Sequence, residues 1–453
     1  MFKKTKLIVA LALTLVICFA GITPARAEPP ESKKAAITKV LKFPYGTVVT
    51  DMKFTFYVEA IEADKELYNA QPASQKMPIL GTITQETPHA TGEFTLTFSG
   101  NAFPEPDGNG TVSWSKQTPN LFDTKNVNWP HAGEYLYLIT ELKSGYNKTD
   151  KENIVYSGAK YTLIVLVKEE AGVLVINSVI ARVEEIDVEG DIGAKIDPDP
   201  GDAINTFSKM TFTNLYWKHT GSTTPTGPGS PLETPDPGKP NRPYKNWTLF
   251  VNKVVDGDLA NKELYFDFSI TVNAPSVIPT VQRPTYYACI VNKNADNTYV
   301  VVGNPSPNDV GTSAIFTVTQ GTPMSFKLKH NQYLVFLNTT VGATYTVTEV
   351  HPGDLYIPTA KVTKNSVTSG VAGSPTGADK TDLLLPGKYA AAVGSILYVG
   401  EDNSSANFTN TRSSSATTGL NLDDLPFIGL IALGLGALIV FIVVKARKNK
   451  HYN

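Results

Sequence analysis

The sequence predicts an all-β protein built as two tandem β-sandwich domains, and three observations predict it. Short runs alternate apolar and polar residues. They are "KFTFYVEAI", "EFTLTF", "EYLYLIT" and "YTLIVLVKE" in the first half, and "LYFDFSITV", "AIFTVT", "SFKLK" and "TYTVTEV" in the second. Period-two alternation between turn-rich loops, in a chain rich in Tyr, Phe, Thr and Val, marks half-buried strands. Between the two sets lies "HTGSTTPTGPGSPLETPDPGKPNRPYK" (219–245), too rich in Pro, Gly and Thr to form a core, which reads as an extended linker. The halves also share short matches in the same order: "ITKV" (37–40) with "VNKV" (251–254), "FTFYV" (54–58) with "FDFSI" (266–270), "YLITE" (137–141) with "YTVTE" (345–349), and "FTN" (212–214) with "FTN" (408–410). Four matches in one order point to an internal duplication.

The chain begins with a segment that is not part of either sandwich. Lys3, Lys4 and Lys6 precede the apolar run "LIVALALTLVICFAG", which ends in "ARA" before Glu28. This pattern predicts a secretory signal peptide, residues 1–27. The first sandwich is expected over 28–218, the linker over 219–245 and the second sandwich over 246–412. A tail, 413–453, closes the chain. Its "LPFIGLIALGLGALIVFIVV" (425–444) is long and apolar enough to be expected as a membrane-spanning helix, and the basic "KARKNKHYN" after it predicts a cytoplasmic end.

Composition narrows the function. A net charge of −2 gives no footprint for nucleic-acid binding. Beyond the signal segment the chain keeps one cysteine, Cys289, so no disulfide within the mature chain is available to an exported protein of this size. The six histidines show no metal-ligand spacing, and no Gly-rich phosphate loop or G-x-S-x-G elbow occurs. The acidic "DVEGDIGAKIDPDPGD" (187–202) lacks a calcium-loop spacing and reads as a solvated loop. No metal and no cofactor is expected.

Polar residues on the predicted inside faces carry the functional signal. "MTFTN" (210–214) and "ANFTN" (406–410) each close an apolar run with an asparagine that shares a face with the Phe two residues earlier. Lys39 shares its face with Ile37, Leu41 and Phe43, and Lys253 with Leu249, Val251 and Val255. Glu349 lies with Tyr345 and Val347. At Glu141 both faces of "EYLYLIT" are apolar. One Lys, one Glu and one Asn in each core need an explanation, because such groups are rarely buried unless paired. A buried ion pair hydrogen-bonded to Asn is one reading.

The other reading is chemical. Burial disfavours the ammonium and leaves a nucleophilic amine. Burial also keeps the carboxyl protonated, so that it can donate to the Asn carbonyl. Held together in a rigid core, the amine attacks that carbonyl and releases ammonia, leaving an isopeptide bond.

With these residues in place, the sequence resembles the major (backbone) pilins of Gram-positive bacteria, of the T-antigen type. The resemblance rests on "ITK", "YLITE" and "FTN", their second-half equivalents and the C-terminal tail. It implies Ig-like domains, with Lys39 bonded to Asn214 and Lys253 to Asn410, assisted by Glu141 and Glu349. The reaction is a self-reaction, so an enzyme acting on external substrates is not expected. The long Pro-rich linker departs from the family pattern.

The resemblance also implies sorting. A pentapeptide ending Thr-Gly is cleaved by a sortase, and a lysine of another subunit resolves the acyl-enzyme. "SATTG" (415–419) supplies Thr418 and Gly419 just after the last domain; "LPFIG" (425–429) has the Leu-Pro start but Ile428 in place of Thr. "SATTG" is favoured. Lys209, opposite in parity to Met210, Phe212 and Asn214, is the candidate polymerisation lysine. The expected partners are neighbouring pilin subunits, the sortase and peptidoglycan, with the membrane holding the precursor. The alternative is a singly anchored adhesin or tip subunit.

Overall fold

A computed structural model describes residues 33–61, 77–85, 91–221, 231–232, 249–302, 315–372, 383–385, 398–413 and 425–449, apart from short gaps at 101–103, 124–126, 145, 147, 150, 188–190, 202–205, 297, 351, 354, 365–366 and 402–403. The expected signal peptide, most of the linker, and Thr418 and Gly419 lie outside the described residues.

The expected all-β class holds. Eleven strands come first: β1 (Thr38–Pro44), β2 (Met52–Ile61), β3 (Thr82–Gln85), β4 (Thr91–Phe98), β5 (Thr111–Gln117), β6 (Gly133–Glu141), β7 (Glu152–Val155), β8 (Lys160–Glu170), β9 (Val173–Glu185), β10 (Lys195–Ile196) and β11 (Thr211–Gly221). Fourteen follow: β12 (Pro231–Leu232), β13 (Leu249–Asp256), β14 (Phe266–Asn273), β15 (Tyr286–Lys293), β16 (Tyr299–Val302), β17 (Ile315–Val318), β18 (Met324–Leu328), β19 (Gln332–Phe336), β20 (Asn338–Thr340), β21 (Thr344–Glu349), β22 (Ile357–Lys364), β23 (Val367–Ala372), β24 (Leu383–Leu385) and β25 (Ser404–Thr411). A helix, α1 (Leu425–Asn449), ends the described chain. Among the described residues no helix is long and apolar enough to cross a membrane; the span expected over 425–444 falls partly outside the residues whose side chains are described.

The chain divides into two compact units. The first comprises residues to Thr220 together with Ala274–Pro284 and Thr339–Ala343, and the second comprises Gly221–Asn273, Thr285–Asn338 and the chain from Thr344.

In the first unit, a five-stranded sheet ordered β20-β11-β1-β5, with β7 on β11, faces a seven-stranded sheet ordered β10-β9-β8-β6-β2-β4-β3. Alternation sets which face is buried. Met52, Phe54, Phe56, Val58 and Ala60 of β2 are buried, while the residues between them are not. They meet Ile37, Leu41, Phe43 and Phe212 from the other sheet in one core. Phe56 and Phe212 touch across it, ring centroids 5.1 Å apart.

The second unit repeats the plan. A nine-stranded sheet ordered β12-β16-β15-β19-β13-β25-β22-β23, with β17 on β15, faces a four-stranded sheet ordered β18-β14-β21-β24. Phe268 and Phe408 touch across its core at 5.2 Å. Gly257 ends β13 at φ +104°, a conformation other residues rarely adopt, and a Cβ there would lie 2.2 Å from the Arg412 carbonyl oxygen. The glycine lets the ends of β13 and β25 close on each other.

The duplication is visible in the pairings. In the first unit β1 runs parallel to β11, and in the second β13 runs parallel to β25. Lys39 stands opposite Phe212 in β1/β11, and Lys253 stands opposite Phe408 in β13/β25. Phe56 stands opposite Glu141 in β2/β6, and Phe268 opposite Glu349 in β14/β21.

Candidate functional site

Parallel pairing at this register puts Lys two residues short of Asn on the adjacent strand in both units: Asn214 is two past Phe212, and Asn410 two past Phe408. Offsets of two keep side chains on one face of a sheet. The glutamate comes from the facing sheet. Lys39, Asn214, Lys253, Glu349 and Asn410 are fully buried, and Glu141 nearly so. A Lys, a Glu and an Asn are therefore buried at equivalent registers in each of the two units. Glu141, whose strand the sequence leaves ambiguous, lies on the same buried face as Tyr135, Tyr137 and Ile139. Asn214 does not close its strand, since β11 continues through Tyr216 and Trp217 to Gly221; Asn410 does stand at the end of β25.

In the first unit Lys39 Nζ lies 2.8 Å from Glu141 Oε1 and donates to Oε2 at 2.9 Å. Asn214 Nδ2 donates to Glu141 Oε1 at 2.8 Å. One carboxyl group thus holds both the amine and the carboxamide. The Lys39 ammonium also sits 4.8 Å from the Phe54 ring centre. Desolvation pulls the Lys39 pKa down to about 8, against the opposing pull of Glu141. Desolvation likewise raises the Glu141 pKa, against the opposing pull of Lys39. Burial moves the pair toward a neutral amine and a neutral acid.

The second unit has the same contacts with a difference. Lys253 Nζ lies 2.5 Å from Glu349 Oε1, and Asn410 Nδ2 donates to the same oxygen at 2.8 Å. Lys253 lies 4.6 Å from the Phe266 ring centre. Desolvation lowers its pKa to about 8 and raises that of Glu349. Glu349 Oε2 and Asn410 Oδ1, both buried acceptors, have no hydrogen-bond partner.

One expectation changes in detail. The Glu was expected to donate to the Asn carbonyl. In the first unit the carboxamide nitrogen points at Glu141 instead, and Asn214 Oδ1 accepts from the Ser157 backbone N–H at 2.7 Å. Sequence reasoning missed Ser157 and also Asp187. Asp187 opens the acidic stretch read as a solvated loop; its carboxylate accepts from Ser157 Oγ, Gly158 N, Ala159 N and Thr213 N. No local pattern announces these contacts, because the partners are far apart in sequence. Among the described residues no group of His, Cys, Asp and Glu is placed to hold a metal ion.

Lys209 precedes β11 and is exposed between buried Ser208 and Met210; its backbone N–H donates to Asp197 O at 3.0 Å. It is not part of either buried cluster.

Residues 35–217 match the family described as the Spy0128-like isopeptide containing domain. Residues 35–217 are similar to that domain over less than half of the chain. The resemblance to Gram-positive major pilins is borne out at this domain, which contains Lys39, Glu141 and Asn214. Residues 247–379 match a family described as a domain of unknown function (DUF7601). Among solved structures, the chain is similar to the major pilin from Streptococcus pyogenes, at 15% identity over 84% of this chain and 100% of that chain, TM-score 0.29. It is similar to the T3.2 major pilin of the same organism at 18% identity, over 84% of this chain and 99% of that one, TM-score 0.27. A bacterial adhesin from Mobiluncus mulieris containing intramolecular disulfide, isopeptide and ester bond cross-links follows at 10% identity, over 84% of this chain and 100% of that one, TM-score 0.21. At these TM-scores the likeness carries no weight, and the family match stands by itself. No curated protein matches.

Proposed function

We propose that this protein is an exported, cell-surface pilus subunit whose two domains are each stapled by a self-formed isopeptide bond, Lys39 to Asn214 and Lys253 to Asn410. The observation that carries the reading is the same buried Lys–Glu–Asn cluster, at the same parallel register, in both units. A purely structural ion pair explains one such cluster but gives no reason for Asn to accompany it twice. Buried ion pairs are also weak stabilisers compared with apolar packing.

Glu141 and Glu349 act in the reaction by taking a proton from the amine and returning one to the leaving nitrogen, since each touches both groups. The protein is structural and does not act on an external substrate. The C-terminal segment holds the precursor in the membrane while a sortase cleaves between Thr418 and Gly419, and the Thr418 acyl group passes to a lysine of a neighbouring subunit, Lys209, or to peptidoglycan. The test of the stapling is the intact mass of the folded ectodomain. It should be lighter than its sequence by two molecules of ammonia, and an unmodified mass would overturn the reading.

A further inference from the structure

The first unit holds a group that bears on the reacting carbonyl and has no counterpart in the sequence trio. Asn214 Oδ1 receives the Ser157 N–H at 2.7 Å, and the same N–H reaches Glu141 Oε2 at 3.2 Å. Ser157 is buried in the link between β7 and β8. Asp187 fixes that link: its Oδ2 accepts from Ser157 Oγ at 2.5 Å, and its Oδ1 accepts from Gly158 N at 2.6 Å and Ala159 N at 3.1 Å. The Asp187 carboxylate also takes the N–H of Thr213 at 2.9 Å, one residue before Asn214. The clamp therefore ties the donor to the strand that carries the acceptor. A backbone donor held in advance at this distance is what a developing oxyanion requires.

We propose that the Ser157 backbone N–H is the oxyanion donor of the Lys39–Asn214 reaction, positioned by the Asp187 carboxylate. The inference rests on the stapling reading above and adds a residue to it. The step runs as follows. Lys39 passes one proton to Glu141 and attacks Asn214 Cγ with its lone pair. The new C–N bond forms, the carbonyl π electrons move to Oδ1, and the Ser157 N–H stabilises the charge there. Glu141 returns the proton to Nδ2, the C–Nδ2 bond breaks, and ammonia leaves. The carbonyl reforms, and Glu141 takes the remaining excess proton from the new amide nitrogen. Carboxylate and ammonium at the start become carboxylic acid, secondary amide and ammonia at the end, with no change in total charge.

The second unit supplies an internal contrast. Asn410 Oδ1 has no donor, and Glu349 Oε2 is equally without a partner. The main-chain N–H that reaches Asn214 Oδ1 in the first unit thus has no counterpart at Asn410 Oδ1 in the second.

The test uses the full chain made by cell-free translation. The Ser157 amide is replaced by an ester, through nonsense suppression with the α-hydroxy analogue of serine, which removes the N–H and keeps the side chain. Peptide mass spectrometry then follows the appearance of the Lys39–Asn214 and Lys253–Asn410 linkages with time. The expected result is a slowing of the first linkage by about 100-fold, the usual effect of losing one oxyanion donor, with the second linkage unchanged. Equal rates for ester and wild type would overturn the Ser157 role while leaving the staple standing; absence of both linkages in wild type would overturn the staple itself. If protease sensitivity shows that the ester chain does not fold its first unit, Asp187→Ala decides. It should slow the first linkage and spare the second, and an unchanged first linkage overturns the proposal.

Discussion

Lys39 Nζ and Glu141 Oε1 stand 2.8 Å apart with neither side chain exposed to solvent. Burial moves this pair toward a neutral amine and a neutral acid, so removing the carboxyl leaves the unreacted Lys39 amine buried without its hydrogen-bond partner, at a cost of about 1–3 kcal/mol. Glu141→Ala should therefore do two things at once. It should leave the Lys39–Asn214 linkage unformed, retaining one ammonia in the intact mass. It should also lower the stability of the first unit by more than loss of the linkage explains. Glu349→Ala should do the same in the second unit. Intact mass and denaturant unfolding of each variant check both effects, and a variant that still loses both ammonia molecules would show the carboxyl to be dispensable.

The lowered lysine pKa sets a pH dependence for bond formation. Lys39 and Lys253 are each pulled down to about 8 from an ordinary 10.5, so the neutral, attacking amine grows in as pH rises toward 8 and saturates above it. Glu141 and Glu349 are raised above 4.5, so their protonated forms are lost as pH rises through those elevated values. The rate of linkage in freshly translated chain should therefore pass through a maximum and fall on both sides. A rate independent of pH would mean that neither protonation state limits the reaction. Peptide mass spectrometry after a pH jump measures it.

Lys39→Ala and Lys253→Ala remove one linkage each and empty part of a core. The linkages would close loops of well over a hundred residues, which by analogy with disulfides adds about 4–5 kcal/mol through the unfolded chain. Each variant should melt at a lower temperature and be cut faster by protease in its own unit, with the other unit unchanged. Unchanged melting in both would argue against a structural role for the cross-links.

How much of this was legible in the sequence depends on the range of the interaction. Strand parity placed Lys39, Lys253, Asn214, Asn410 and Glu349 inside because period two is a local property. Glu141 was ambiguous because both faces of its strand are apolar, and only the pairing Phe56 with Glu141 resolves it. The ordered matches announced the duplication, but the parallel register that brings Lys within reach of Asn joins strands far apart in sequence, β1 with β11 and β13 with β25. It follows from closure of the sandwich. Ser157 and Asp187 were invisible for the same reason. An N–H carries no side-chain signature, and Asp187 reads as one more loop acid until Thr213 and Ser157 arrive beside it. Strand β11 runs on into Trp217 and His219, because Leu215, Tyr216, Trp217 and Lys218 pair with β7, a short strand that has no clear alternation of its own.

Assembly is tested at the tail. Thr418 would supply the acyl group to a sortase and Gly419 would leave with the apolar segment and basic end, because cleavage there frees both domains from the membrane while keeping them whole. Lys209 suits the acceptor role by being exposed between buried neighbours just before β11, outside the buried cluster, where another molecule can reach it. Thr418→Ala should abolish detergent-resistant polymer ladders and wall linkage, with both domains still folded and still lighter by two ammonia molecules. Lys209→Ala should abolish ladders and leave monomer on the wall, where peptidoglycan amine competes for the acyl-enzyme. Tandem mass spectrometry of polymer digests reads the junction directly. A Thr418–Lys209 linkage is the expected product, a junction at Ile428 would move cleavage to "LPFIG", and surface protein retaining its intact tail would reject sorting.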